Sequence, residues 1–167
     1  MPPFSIRRAV PADAPAIAAV HTQSWRETYT GLLPTDFSAS ATDEQALERR
    51  EQSWQAVLTE QREAVFVAEQ EQTVVAFASV GTARDHPGYL HELTTLYALY
   101  SVQGRGIGQQ LLQAVMAQVR ATGGNRLALW VLGANPARQW YATQGAREAG
   151  QKVEGELLEI RMVWEGL

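Results

Sequence analysis

Between a β-rich run, Tyr89–Leu99, and a helical pattern through Leu111, Leu112, Val115 and Val119 stands Gln103-Gly104-Arg105-Gly106-Ile107-Gly108. Glycines in alternate positions let a backbone come close to a ligand. The first N–H groups of a helix have no internal acceptor, and the helix dipole favours negative charge there. Such a turn suits a phosphate or diphosphate; its other use is simply a tight strand-to-helix connection. A dinucleotide G-x-G-x-x-G does not fit. Counted from Gly104 the sixth residue is Gln109, and counted from Gly106 it is Leu111. A Walker loop needs Lys-Ser or Lys-Thr, and Gly108 is followed by Gln109-Gln110. Lys152 is the only lysine among 14 Lys and Arg, so Schiff-base chemistry would rest on one residue in a polar late segment.

Glu92 is the leading candidate for a general base. It opens a strand among apolar or neutral neighbours, where partial burial would lift its pKa toward neutrality. The plainer reading is a rim carboxylate that orients a substrate. His91, its neighbour, is predicted on the opposite face of the strand. His86 and His21 could substitute as bases, but read more simply as surface or packing residues. With no cysteine in the chain, thiolate nucleophiles, disulfides and Cys-ligated metals are excluded.

The elements needed to place these groups are legible in outline. Ser5–Val10 is a strand, with Asp13 as the N-cap of a helix that puts Ile17, Val20, His21, Ser24, Trp25 and Thr28 on one face. Gly31 and Pro34 end that helix. A capping-box pattern at Thr42-Asp43-Glu44-Gln45 opens the next, with Leu47, Trp54, Val57 and Leu58. Val65–Glu69 and Thr73–Gly81 form a hairpin, and Arg84–Gly88 is a loop. After the glycine-rich helix, stopped at Gly123-Gly124, come strand Arg126–Leu132, short helix Pro136–Gln144 and closing strand Glu156–Trp164. The order β-α-α-β-β-β-α-β-α-β predicts one α/β sheet and a single domain over 1–167.

Composition narrows the field further. Hydrophobic residues at 46% and charged residues at 19% describe a chain able to bury a core, not a disordered one. A net charge of −4 speaks against phosphate-backbone binding, so no nucleic-acid partner is expected. No apolar run approaches the roughly 20 residues that cross a bilayer. Met1–Arg8 lacks the charged-then-apolar order of a signal peptide. The expectation is a soluble, cytoplasmic protein without a membrane partner.

Gln103, Gly106 and Gly108 also satisfy the pattern Q/R-x-x-G-x-G. With the strand Glu92–Leu99 before it and Asn135…Trp140-Tyr141…Gly145 after it, the chain resembles the GCN5-related N-acetyltransferase superfamily over essentially its whole length. That resemblance implies a mixed, mostly antiparallel sheet flanked by helices, with a splayed parallel strand pair at an acetyl-CoA site. Backbone groups of Leu96, Tyr97 and Ala98 would pair with the pantetheine arm as an added strand. Amides of Gly104, Arg105, Gly106, Ile107 and Gly108, with Gln103 and Gln109, would hold the diphosphate; Arg105 is otherwise a solvated surface arginine. Asn135, one residue nearer Tyr141 than the family usually has it, would contact the cofactor.

Further roles follow from the same resemblance. Tyr141 would protonate the departing thiolate, against the alternative of a helix tyrosine half-buried on the sheet. Ala98, or a residue beside it, would offer an oxyanion N–H. Trp25, Tyr29 and Trp130 are acceptor-pocket candidates, although aromatics at such spacing more often serve as core. The implied reaction is direct attack of a small-molecule or peptide primary amine on acetyl-CoA in a ternary complex, with no metal. The absence of cysteine for an acyl-enzyme agrees with direct attack. The alternative is a non-catalytic acyl-CoA-binding module, and a homodimer through the late strands is a further expectation.

Overall fold

A computed structural model describes residues 2–167, with Met1 outside the described residues. Among these the strands are β1 (Phe4–Arg8), β2 (Ala64–Gln70), β3 (Thr73–Thr82), β4 (His91–Ala98), β5 (Arg126–Leu132), β6 (Arg147–Glu154) and β7 (Leu157–Glu165). The helices are α1 (Ala14–Tyr29), α2 (Thr35–Thr42), α3 (Glu44–Glu60), α4 (Ile107–Ala121) and α5 (Ala137–Thr143). One sheet forms in the order β1-β2-β3-β4-β5-β7-β6. Every pairing is antiparallel except β4 with β5.

Each face of the sheet has its own core. On one, Leu111, Leu112, Val115 and Val119 of α4 pack on Val80, Leu93, Leu127, Leu129 and Met162. These residues recur at helical spacing along α4, which is why the segment folds as an amphipathic helix on the sheet. On the other face, Ile17 and Ala18 of α1 and Trp54 and Leu58 of α3 close over Val65, Val67 and Phe77.

Two elements went unforeseen. Helix α2 buries none of its residues, so it has no apolar period to betray it. Strand β6 reads REAGQKVE and is mostly exposed. It is an edge strand that exists because β7 offers it a partner, from Arg147↔Val163 to Glu154↔Leu157. Its charges are what an unprotected edge requires.

The two helix caps behave differently. Asp43 caps α3, its Oδ1 accepting from Ala46 N at 2.8 Å. Asp13 occupies the N-cap position of α1 but makes no side-chain cap bond. Its carboxylate instead accepts both Arg7 guanidinium nitrogens and the Val10 N–H, each at 2.8 Å. The Asp13 side chain therefore ties β1 to the turn that starts α1.

Strand β4 contains the irregularity that matters most. Ser79 lies opposite Thr95, yet the next residue, Val80, lies opposite Leu93. Thr94 is an extra residue, a β-bulge that resets which side chains share a face. Phe77 and Tyr97 face the α1/α3 side, whereas Val80 and Leu93 belong to the α4 side. Through the bulge, Gly81 and Glu92 fall on the α1/α3 side, and His91, opposite Thr82, on the other. The sequence expectation that His91 and Glu92 face opposite ways holds.

Hydrogen bonding from Arg7 holds the Asp13 carboxyl below its usual range, outweighing the opposing effect of burial. Asp13→Ala is therefore expected to lose about 1–2 kcal/mol in urea unfolding at pH 7, a figure tempered by solvent around Arg7. The native pKa is the lower one, so this stability is complete above the unfolded value of roughly 3.9 and disappears as pH falls through the native value. Parent and variant should converge in acid.

Candidate active site in the split between two parallel strands

Strand β4 is paired with β3 along its whole length, from His91 to Ala98. With β5 it shares a single register position, Glu92↔Ala128. Beyond that point the two strands diverge, and the β5-facing edge of residues 93–98 has no strand beside it. Backbone N–H and C=O groups on such an edge require partners, and an extended ligand can supply them. At the far end, Gln103 Nε2 donates to Ala98 O at 3.1 Å, bracing the glycine turn against the strand. That contact gives Gln103 a structural task alongside any role toward a ligand.

The three glycines of the turn serve two different ends. Gly104 and Gly106 have φ of 78° and 82°, left-handed values that favour glycine. A Cβ at either would meet nothing within 4 Å, so conformation, not crowding, selects them. Gly108 is ordinary helix, but a Cβ there would come 3.3 Å from Trp140 Cζ2. In this stretch the first amide with a backbone acceptor inside the helix is Gln110, donating to Gly106 O at 3.1 Å. Among the described residues no acceptor is found for the amides of 104–109. Arg105 donates from Nη2 to Pro2 O at 2.7 Å, so its guanidinium lies against the start of the chain.

At the closed end of the split sits Glu92, only 5% exposed. Its Oε1 accepts the Arg84 N–H at 2.9 Å, and the Arg84 guanidinium stands 3.8 Å from Oε2. Burial pushes the Glu92 pKa up, and the charge on Glu63 adds to the effect against Arg84 and Lys152. His86 corrects the sequence reading of a surface residue in part. It belongs to a loop, yet its side chain is fully buried. It stacks on Trp130 with centroids 4.7 Å apart and brings Nε2 to 3.6 Å from Glu92 Oε1. Burial, followed by Arg161 and Lys152, lowers its pKa to about 4. Trp130 donates from Nε1 to Arg84 O at 3.2 Å. Around its ring lie Lys152 Nζ at 4.4 Å and Arg161 Cζ at 4.7 Å.

A second group gathers at the other wall. Tyr141, on α5, is buried against Trp140 and Trp164. Burial raises its pKa, and the phenols of Tyr97 and Tyr29 are near enough to raise it further. Asn135 donates from Nδ2 to Tyr29 OH at 3.0 Å and accepts the Ala137 N–H on Oδ1 at 2.9 Å. It thus ties the entry of α5 to the end of α1. Trp25 and Tyr29 are in contact at 4.3 Å, with Phe37 of α2 beside Trp25 at 6.1 Å. His21 is a packing residue, one of the two plain readings expected of it. It accepts from Trp54 Nε1 at 3.1 Å, stacks on Tyr97, and is held neutral by burial, its pKa lowered to about 3.

Sequence reasoning did not find Arg84, Arg161, Lys152 or Glu63 around Glu92. Arg161 had a signal. It is a lone cation between Ile160 and Met162 in an otherwise apolar stretch of β7. Cavities of about 250 and 290 Å³ are present elsewhere, both bordered by Arg8, Gln61 and Glu63. Neither is lined by residues 92–98 or by the glycine turn, where the unpaired backbone groups lie.

Residues 22–146 match the model of the Acetyltransferase (GNAT) family. The chain belongs to that family. It is 31% identical, over 98% of its own length and 94% of the relative's, to the Uncharacterized N-acetyltransferase YuaI of Bacillus subtilis (strain 168). Its fold is similar to the PaiA N-acetyltransferase of Thermoplasma acidophilum, solved in complex with coenzyme A. There the TM-score is 0.76 and the identity 19%, covering 95% of this chain and 98% of that one. It is also similar to the ribosomal-protein-alanine N-acetyltransferase of Brucella melitensis, at TM-score 0.73 and 27% identity over 96% and 99% of the two chains. The expected GNAT architecture, a mostly antiparallel sheet with one splayed parallel pair, is present in this chain.

The different reasons for the GNAT turn's glycines can be separated. Gly106→Ala places an L-residue in left-handed backbone and should lower unfolding stability by about 1 kcal/mol, leaving tryptophan emission unchanged. Gly108→Ala pushes on the Trp140 ring and should alter emission. That change should vanish in a Trp140→Phe background.

Proposed function

We propose that this chain is an acetyl-CoA-dependent N-acetyltransferase in which a primary amine attacks the thioester directly, in a ternary complex. The observation that carries the reading is one continuous path: an unpaired strand edge that runs from a buried carboxylate to unpartnered helix-terminal amides. Membership of the GNAT family and the coenzyme A complex of a structural relative support it. The backbone of Leu96 and Ala98, on the edge facing the split, pairs with the pantetheine arm, while Tyr97 between them turns its backbone groups to β3. Amides from Gly104 through Gly108, with Gln109, hold the diphosphate, and Asn135 borders the cofactor from the start of α5. The open space around the absent Cβ atoms of Gly104 and Gly106 fits a ligand close to the backbone.

Acetyl-CoA is the cosubstrate and supplies the activated acyl group. Glu92 takes one proton from the attacking nitrogen, a task suited to a carboxylate whose pKa is raised toward the working pH. A backbone N–H on the unpaired edge stabilises the oxyanion. The C–N bond forms, the C–S bond breaks, and the Tyr141 hydroxyl donates its proton to the sulfur. With its pKa raised by burial, Tyr141 remains protonated throughout the range in which Glu92 titrates, and it recovers its proton from Glu92 through solvent. One proton leaves nitrogen, one reaches sulfur, and neither residue is consumed. Trp130 borders the acceptor on the Glu92 side, and Trp25 with Tyr29 on the other.

The acceptor is a small-molecule or peptide amine. Residues 1–167 act as one domain, in the cytoplasm, without nucleic-acid or membrane partners, and a homodimer would use the late strands. In a thiol-release assay with acetyl-CoA and a panel of primary amines, Glu92→Gln should reduce kcat/KM by about 10²-fold or more. Tyr141→Phe should reduce it by about tenfold or more. Both variants should still bind coenzyme A in calorimetry. The acid limb of kcat/KM in the parent should lie above the ordinary carboxylate range of about 4.3. Coenzyme A binding without turnover on any amine would identify a binding module instead.

A further inference from the structure

His86 presents a buried polar atom that the reaction above does not use. Its Nε2 has no hydrogen-bond partner among the described residues. Its other nitrogen is fully specified, because Nδ1 accepts from Arg161 Nε at 3.0 Å. An arginine Nε–H is always a donor, so Nδ1 must present its lone pair. The imidazole is then neutral and its single proton sits on Nε2. The nearest carboxylate oxygen to that nitrogen is Glu92 Oε1, 3.6 Å away.

The surroundings fix His86 in that attitude. Arg161 is itself anchored, with Nη2 donating to Asp85 O at 2.6 Å and Nη1 to Ala149 O at 3.5 Å. Trp130 covers the imidazole face at an interplanar angle of 23° and is pinned through Nε1 to Arg84 O. Glu92 Oε1 thus accepts the Arg84 N–H at 2.9 Å, and the unpartnered His86 Nε2 stands 3.6 Å from the same oxygen. The other oxygen, Oε2, accepts no hydrogen bond among the described residues, and the exposed Arg84 guanidinium stands 3.8 Å from it.

We propose that His86 is a positioning residue for Glu92: with its tautomer set by Arg161, its Nε2–H holds Oε1 and leaves Oε2 to receive the proton of the acceptor amine. The inference rests on Glu92 as the base. Catalytic hydrogen bonds that are long in the free enzyme commonly tighten once substrate is bound, and a short approach of the two side chains would close 3.6 Å to hydrogen-bond length. His86 is not itself the base, because its remaining lone pair is committed to a cation.

The charges around the pair are few and can be named. Arg84 from the β3–β4 loop, Glu63 ahead of β2 and Lys152 of β6 act on Glu92. Arg161 of β7, Lys152, Asp85 and Arg84 act on His86. His86→Phe keeps a flat ring against Trp130 but removes both the Nε2–H and the acceptor of Arg161 Nε. His86→Gln restores a side-chain donor together with an acceptor. Each of the named charged side chains is retained in both variants.

The test is a carboxyl ¹³C NMR titration of the whole protein, with the Glu92 signal assigned by its loss in Glu92→Gln. His86→Phe should raise the Glu92 midpoint by about one pH unit, a tenfold change in proton affinity, and His86→Gln should return most of it. The acid limb of kcat/KM, measured with the best amine of the thiol-release panel, should move with the midpoint, and kcat should fall while KM for acetyl-CoA stays constant. In ¹⁵N NMR, Arg161→Met should replace the single Nε2–H tautomer with a mixture. A Glu92 midpoint identical in parent, His86→Phe and His86→Gln would overturn the role of His86 and leave the base intact. Unchanged turnover in Glu92→Gln would instead remove the base, and with it any purpose for His86.

Discussion

The separation of β4 from β5 after one shared register position governs the rest of this molecule. A parallel pair that continued to Ala98 would satisfy every backbone group on both strands and leave no space for a ligand. Here the pair stops at Glu92↔Ala128, while β3 holds the opposite edge of β4 along its full length. The unpaired edge is therefore rigid as well as open. A strand secured on one side can offer the other with little ordering cost, which is the condition for tight pairing with an extended partner.

The bulge at Thr94 gives that scaffold its candidate site. Without the extra residue, strict alternation from Tyr97 back to residue 92 would send Glu92 to the α4 face with Leu96 and Ala98. With it, Glu92 shares a face with Thr95 and Tyr97. There it meets the β3–β4 loop and, by way of His86 and Trp130, the cations of β6 and β7. Burial then drives the two titratable neighbours the same way, toward their neutral forms, so Glu92 rises and His86 falls. In such a pair the carboxylate holds a proton to higher pH than a solvated one does, while the imidazole remains uncharged.

Much of this was legible in the residues. The glycine turn declared itself by spacing, α4 by apolar period, β5 by its apolar run, and Glu92 by its place among neutral neighbours at a strand's start. What stayed hidden has a common cause: it depends on partners remote in sequence. Helix α2 buries nothing and so has no period. Strand β6 is held by its ladder to β7, not by any apolar alternation of its own. Thr94-Thr95 reads as ordinary strand, because a bulge shows itself only when the facing strand is in register. His86 lies between Asp85 and Pro87, which suggests an exposed turn. Trp130 and Arg161 bury it from strands far along the chain, and neither contact is written in the loop.

Amide-resolved hydrogen exchange on the uniformly labelled protein, with and without coenzyme A, tests the central claim most directly. Protection should appear on the β4 amides between 93 and 98 that face the split and on those from 104 to 109, while the already paired amides of β2 and β3 remain as they were. Saturating coenzyme A that leaves both stretches exchanging at their free rates, or that protects another part of the fold instead, would contradict the account.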